Sequence, residues 1–87
     1  MNEAWLKCTL SKGMFPDESG VTFKSGNGED ISLFCFKDFV DAGNSRLRVK
    51  IVDRQNQWVL VRLPVDSLNG FGIVQVAETE VKEMQVI

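Results

Sequence analysis

The chain has 87 residues, of which 44% are hydrophobic and 25% are charged, and its formal net charge is -2. This mixture is typical of a folded globular protein, and two halves of so short a chain would each be too small to bury a core. We therefore expect one domain over residues 1–87. The slightly acidic charge excludes a general attraction to phosphate, so a nucleic-acid binder would have to gather its ten Lys and Arg on one face.

The first residues do not resemble an export signal. Met1, Asn2 and Glu3 are polar or acidic, whereas a secretory signal has basic residues followed by an apolar run. No apolar stretch approaches the ~18 residues needed to cross a bilayer. We therefore expect a cytoplasmic protein that has no membrane partner.

The residues that usually carry catalysis and metal binding are scarce. The chain has no histidine, which excludes Ser-His-Asp and Cys-His sites and removes the usual general base. Cys8 and Cys35 do not form a C-x-x-C pair, and we expect reduced, buried thiols, with a disulfide as the alternative. The sequence therefore predicts a protein that is not an enzyme and that holds no metal and no cofactor.

Apolar and polar residues alternate in several short segments, which is the period of half-buried strands. The predicted strands span residues 5–10, 21–24, 31–36, 46–53, 58–63, 71–76 and 81–86. Residues 11–20 are expected to form a long irregular loop, whose Met14 and Phe15 fold inward as a plug. A hairpin turn is expected at 25–28, and a connector with at most one short helical turn at 37–41.

These elements predict an all-β fold, a small antiparallel barrel or sandwich of six or seven short strands. It resembles SH3-like and OB-like domains in architecture only, because no motif of either family is present.

The clearest pair of strands lies in the middle of the chain. A three-residue loop at 54–56, with Asn56 in the left-handed conformation, would pair Asp53 with Gln57. Ile51 then opposes Val59. This register places six aliphatic side chains on one dry face of the hairpin: Leu47, Val49, Ile51, Val59, Val61 and Leu63.

The reverse face of this hairpin is the predicted binding surface. Six residues project there as three opposed pairs: Val52 and Trp58, Lys50 and Leu60, Arg48 and Arg62. Trp and Arg are enriched at binding hot spots, and an apolar patch rimmed by positive charge suits an acidic or amphipathic protein, including a second copy of the chain. The first hypothesis is therefore a non-catalytic protein-interaction module. In the alternative interpretation, another strand or the Met14–Phe15 loop covers Trp58 and Leu60 as a second small core.

A second hypothesis is binding of single-stranded nucleic acid. In this arrangement Trp58 or Phe34 would stack on an unpaired base. The phosphates would follow five cations: Arg46, Arg48, Lys50, Arg54 and Arg62. The net charge argues against this hypothesis, because proteins of this class usually carry a basic excess.

Overall fold

The computed structural model describes residues 2–84, which form mainly strands. The nine strands are β1 (Asn2–Lys7), β2 (Thr9–Lys12), β3 (Glu18–Lys24), β4 (Asp30–Phe36), β5 (Val40–Asp41), β6 (Arg46–Gln55), β7 (Trp58–Arg62), β8 (Ile73–Ala77) and β9 (Val81–Glu83). The helical segments of the described residues are two 3-10 turns, Lys37–Phe39 and Glu78–Glu80, and neither is long and apolar enough to cross a bilayer. The sequence pattern predicts only the first of these turns.

The strands form two antiparallel sheets that share one hydrophobic core. The large sheet has the order β8-β7-β6-β1-β9, with β5 also paired to β6, and the small sheet has the order β2-β3-β4. The chain passes from the large sheet to the small one at Cys8, which divides the predicted first strand into β1 and β2. The predicted all-β antiparallel fold is confirmed. Of the last predicted strand, residues 85–86 lie outside the described part of the chain.

The core lies between the sheets, because apolar residues alternate along the strands of both. In the small sheet, Ile31, Leu33 and Cys35 of β4 are buried beside Val21 and Phe23 of β3. Each large apolar group removed from water contributes about 1.5–3 kcal/mol. The large sheet and the residue after β7 contribute ten more buried side chains: Ala4, Leu6, Leu47, Val49, Ile51, Val59, Val61, Leu63, Val74 and Val76.

The central hairpin of β6 and β7 has the predicted dry face. All six aliphatic side chains predicted there are buried, from Leu47 at 0% exposure to Ile51 at 8%. The predicted register is wrong by two residues, however, because Ile51 opposes Val61 instead of Val59. The three opposed pairs predicted for the outer face are therefore wrong as well.

A β-bulge at Val52 explains the difference. The loop holds two residues rather than three, and the first of them, Asn56, has the predicted positive φ, 55°. A two-residue loop followed by a regular ladder would place Ile51 opposite Arg62 and mix aliphatic with cationic groups on one face. The ladder instead shifts between Ile51 and Asp53, so that Val52 is the additional residue and the aliphatic groups share one face again.

The connection between β2 and β3 also differs from the prediction. The observed connection is much shorter than the loop expected over residues 11–20, because β2 continues to Lys12 and β3 begins at Glu18. Met14 and Phe15 at its tip are 73% and 62% exposed, so the prediction of an inward-folded plug is wrong. Two hydrogen bonds to Glu18 close the connection instead. Its backbone N donates to Phe15 O, and its side-chain Oε1 accepts from Met14 N, each at 3.0 Å.

Deletion of Val52 tests the bulge. Without this residue Asp53 still opposes Leu60 and Ile51 still opposes Val61, so both faces of the sheet keep their side chains. We expect cooperative folding with a melting temperature lowered by at most about 4–8 °C, which corresponds to about 1 kcal/mol in a domain of this size. Thermal unfolding followed by circular dichroism measures the change.

Deletion of Arg48 is the control, because Arg48 also projects from the outer face of β6 but lies in the regular ladder, where loss of the bulge would bury Lys50 instead of restoring the core. Its removal turns Leu47 away from the core and Arg46 towards it. The cost should be at least about 1.5–3 kcal/mol, the burial of one aliphatic group. Equal destabilisation by the two deletions would contradict the assignment of Val52 as the additional residue.

Candidate binding face

The strand register places most cations of the chain on one face of the large sheet. Residues directly opposite each other in antiparallel strands share a face, and successive residues alternate between faces. Because Leu6 of β1 and Leu47 of β6 oppose each other in the core, their chain neighbours project from the outer face. Six of the ten Lys and Arg lie there, and we call them the basic face: Lys7, Arg46, Arg48, Lys50, Arg62 and Lys82.

Few carboxylates share this face. The same register places Glu3, Asp41 and Asp53 on it, and Asp41 forms an ion pair with Arg46. Glu80, in the 3-10 turn before β9, borders the same face, so the rest of the chain holds four Lys and Arg against eight Asp and Glu. A chain with a net charge of -2 thus combines a positive outer face with an acidic remainder.

The first groove is a depression of about 310 Å³ where β1, β6 and β7 lie side by side. Lys50 of β6 is central to it, with Arg62 opposite on β7 and Glu3 opposite on β1. Apolar groups from outside these strands complete the wall. The lining residues are Glu3, Phe39, Arg48, Val49, Lys50, Arg62, Leu63 and Pro64.

The three cations of the first groove lack an ionic partner. Among residues 2–84, no carboxylate lies within 4.0 Å of Arg48, Lys50 or Arg62. The Arg48 guanidinium lies over the ring of Phe39, 5.3 Å from its centroid. Lys50 and Arg62 are like charges in directly opposed positions, and such pairs destabilise a sheet. An anion bound between them would remove this repulsion.

The second groove, of about 290 Å³, lies on the same face near β9. Here Arg46 is used within the fold: its guanidinium lies 4.7 Å from the ring centroid of Trp5, and its Nε donates to Asp41 Oδ2 at 2.9 Å. The side chain of Asn44 donates to the same oxygen at 2.8 Å, and these two donors hold the pKa of Asp41 below its usual value. The lining residues are Trp5, Lys7, Asn44, Arg46, Thr79, Glu80, Val81 and Lys82.

Of the six predicted binding residues, the structure brings three together in the first groove: Arg48, Lys50 and Arg62. The predicted opposition of Arg48 and Arg62 is wrong, since Arg48 opposes Trp5 of β1. Val52 lies at the bulge and is 38% exposed, and Leu60 is half-buried opposite Asp53. The predicted surface therefore exists as a face, but its opposed pairs differ.

Trp58 is half-buried by a neighbouring turn. A methyl group at Gly26, between β3 and β4, would lie 3.1 Å from both Cε3 and Cζ3 of the indole. Gly26 N donates to Gln75 O of β8 at 2.7 Å, which holds this turn against the large sheet. Another element thus packs on Trp58, as in the alternative interpretation, although that element is the β3–β4 turn and not the Met14–Phe15 loop.

Several residues of the two grooves were not predicted as a site. Glu3 and Lys7 reach the face because β1 pairs with β6, and Lys82 reaches it because β9 pairs with β1. Phe39 comes from the 3-10 turn before β5. The alternation in the first strand indicates that Lys7 points away from the core, but no local pattern identifies β1 as the neighbour of β6.

The two cysteines are free thiols, Cys35 buried and Cys8 half-buried. Burial, with a smaller effect of Cys35, raises the pKa of Cys8 from 9.0 to about 11, and burial also raises the pKa of Cys35. Thiols with raised pKa values are poor nucleophiles near neutral pH. Within residues 2–84, no group of three His, Cys, Asp or Glu side chains is arranged to hold a metal ion.

The raised pKa of Cys8 predicts a loss of stability at alkaline pH. Below pH 9 the thiol is protonated in both states, and as the pH rises to about 11 the unfolded chain loses this proton first. The free energy of unfolding should therefore fall over this interval more steeply for the wild type than for Cys8→Ala. Urea unfolding at pH 8, 9, 10 and 11 measures the difference. The variant retains every other group that loses a proton in this interval, so the effect of those groups on stability is common to both proteins. Parallel profiles would contradict the raised pKa.

Comparison with known proteins gives no relative for this chain. It matches no protein-family model, and neither the curated proteins nor the solved structures give a match.

Proposed function

We propose that this domain is a non-catalytic protein-interaction module whose basic face binds an acidic segment of a partner protein. The observation that carries the proposal is the set of three cations in the first groove, Arg48, Lys50 and Arg62, which lack ionic partners among the described residues. A carboxylate bound there relieves the repulsion between opposed Lys50 and Arg62. Binding therefore gains both a new attraction and the loss of an existing repulsion.

Apolar groups beside the groove support a protein partner. Ile73 of β8 opposes Arg62 and is 42% exposed. Leu60, two residues before Arg62 on β7, is half-buried. Together with exposed Val52, they form an apolar margin next to the cations. Charged rims mainly raise association rates and specificity, whereas buried apolar contacts slow dissociation. A segment that combines acidic and aliphatic side chains matches both parts of this face.

The packing of the aromatic residues supports protein over single-stranded nucleic acid. Stacking on unpaired bases requires open aromatic faces beside the cations. Trp58 packs against Gly26, and Arg48 lies over the ring of Phe39. Phe34 belongs to β4, in the small sheet, and not to the strands that carry the basic face.

Charge reversal tests the proposal. The variant Arg48→Glu with Arg62→Glu should bind the labelled peptide Glu-Leu-Glu-Ser-Glu-Leu-Glu at least about tenfold more weakly than the wild type, which corresponds to about 1.4 kcal/mol. Arg48→Gln with Arg62→Gln, which removes the charges without reversing them, should give a smaller loss. Fluorescence anisotropy at 50 and 200 mM salt measures the affinities.

The matched control is Lys12→Glu with Lys37→Glu, which makes the same change in net charge at two exposed lysines outside the basic face. We expect its affinity to stay within about twofold of the wild type, because neither lysine lines either groove of the basic face. Equal losses in the control and in the Arg48/Arg62 variant would reject the site. Tighter binding of a labelled oligo-dT than of the peptide, lost in the Arg48/Arg62 variant, would favour nucleic acid instead.

A further inference from the structure

We infer that the partner segment is extended and carries two acidic side chains about four residues apart, one for each groove of the basic face. This inference rests on the proposed function and adds the spacing of the ligand. The first groove contains Lys50 of β6, and the second contains Lys7 of β1, which opposes Arg46 of β6. The rows of Lys50 and Arg46 are four residues apart, and four residues of a strand span about 13 Å, which is therefore the distance between Lys50 and Lys7 along the strand direction.

Screening separates the two grooves electrostatically. The Debye length at physiological salt is about 8 Å, so a single carboxylate in one groove interacts weakly with cations about 13 Å away. Each groove consequently needs its own anion. The opposed pair of Arg48 and Trp5 lies where the grooves meet, with Arg48 lining the first groove and Trp5 lining the second.

The second groove has cations available for this role. Arg46 is already paired with Asp41, but Lys7 and Lys82 are exposed and form no ion pair with any carboxylate of residues 2–84. Both line the second groove together with a single carboxylate, that of Glu80. Its positive charge therefore exceeds its negative charge, as in the first groove.

The dimensions favour an extended segment. A helix is about 10 Å across and places residues four apart only about 6 Å apart along its axis, so a helical segment with this spacing cannot reach both grooves. In an extended chain, residues i and i+4 lie about 13 Å apart and point to the same side, because side chains alternate with a period of two. The distance between the two grooves therefore equals the distance between residues i and i+4 of an extended ligand.

Two peptides of equal composition and charge test the spacing. Ser-Glu-Ser-Gly-Ser-Glu-Ser places its acidic residues at i and i+4, and Ser-Glu-Ser-Glu-Ser-Gly-Ser places them at i and i+2. In NMR titrations of the 15N-labelled protein at 150 mM salt, where the Debye length is about 8 Å, we expect the first peptide to shift amide signals in both grooves. Its dissociation constant should be lower than that of the second peptide by about fivefold to tenfold.

Variants of the individual grooves separate this inference from the proposed function. For the first peptide, Lys7→Glu with Lys82→Glu and Arg48→Glu with Arg62→Glu should each weaken binding by about tenfold, and Lys12→Glu with Lys37→Glu should not. If only the Arg48/Arg62 variant weakens binding, or both peptides bind equally, the two-groove inference fails and the proposed function stands. If neither basic-face variant weakens binding, both fail. Thermal unfolding of each variant confirms that it is folded.

Discussion

The structure depends on the aliphatic residues that recur at every second position in the central hairpin. Leu47, Val49 and Ile51 face the core from β6, which pairs with β1, β5 and β7. Because these three residues must be dry, the residues between them can only project from the opposite face. The same alternation that stabilises the fold therefore places Arg48 and Lys50 side by side in water. Core formation and presentation of the cations are two results of one constraint.

The bulge at Val52 shows how this constraint outweighs local turn geometry. A two-residue loop after Gln55 and a regular ladder are incompatible with an all-aliphatic inner face, and the ladder shifts by one residue so that the inner face is kept. Hydrophobic burial is worth several kcal/mol over the hairpin, whereas one irregular ladder position costs much less. Alternation could therefore be predicted from the sequence, and with it the buried set. The register of β6 and β7 could not be predicted, because turns of different length give the same inner face when one strand contains a bulge.

The candidate face was predictable to the same extent. Arg48, Lys50 and Arg62 could be assigned to one surface because their side relative to the core follows from local alternation. The contributions of Glu3 and Lys7 depend on the pairing of β1 with β6, which joins residues far apart in the sequence and leaves no local signal. For a similar reason the sequence leaves open whether Trp58 is exposed or covered. Its neighbour Gly26 belongs to the other sheet, and only the packing of the two sheets brings the turn onto the indole.

Net charge is a poor guide to the proposed ligand of this domain, because the charges are separated by sheet topology. Six of ten cations lie on one face, while the remainder of the chain is acidic, and the total of -2 describes neither part. The acidic remainder still matters for the size of the partner. A long polyanion that extended past the face would meet carboxylates within a Debye length of about 8 Å, and the repulsion would offset part of its attraction to the cations. A short acidic segment that ends within the face avoids this repulsion. The arrangement thus favours a ligand whose negative charge is local, which a protein segment provides more readily than a nucleic acid with a charge on every nucleotide.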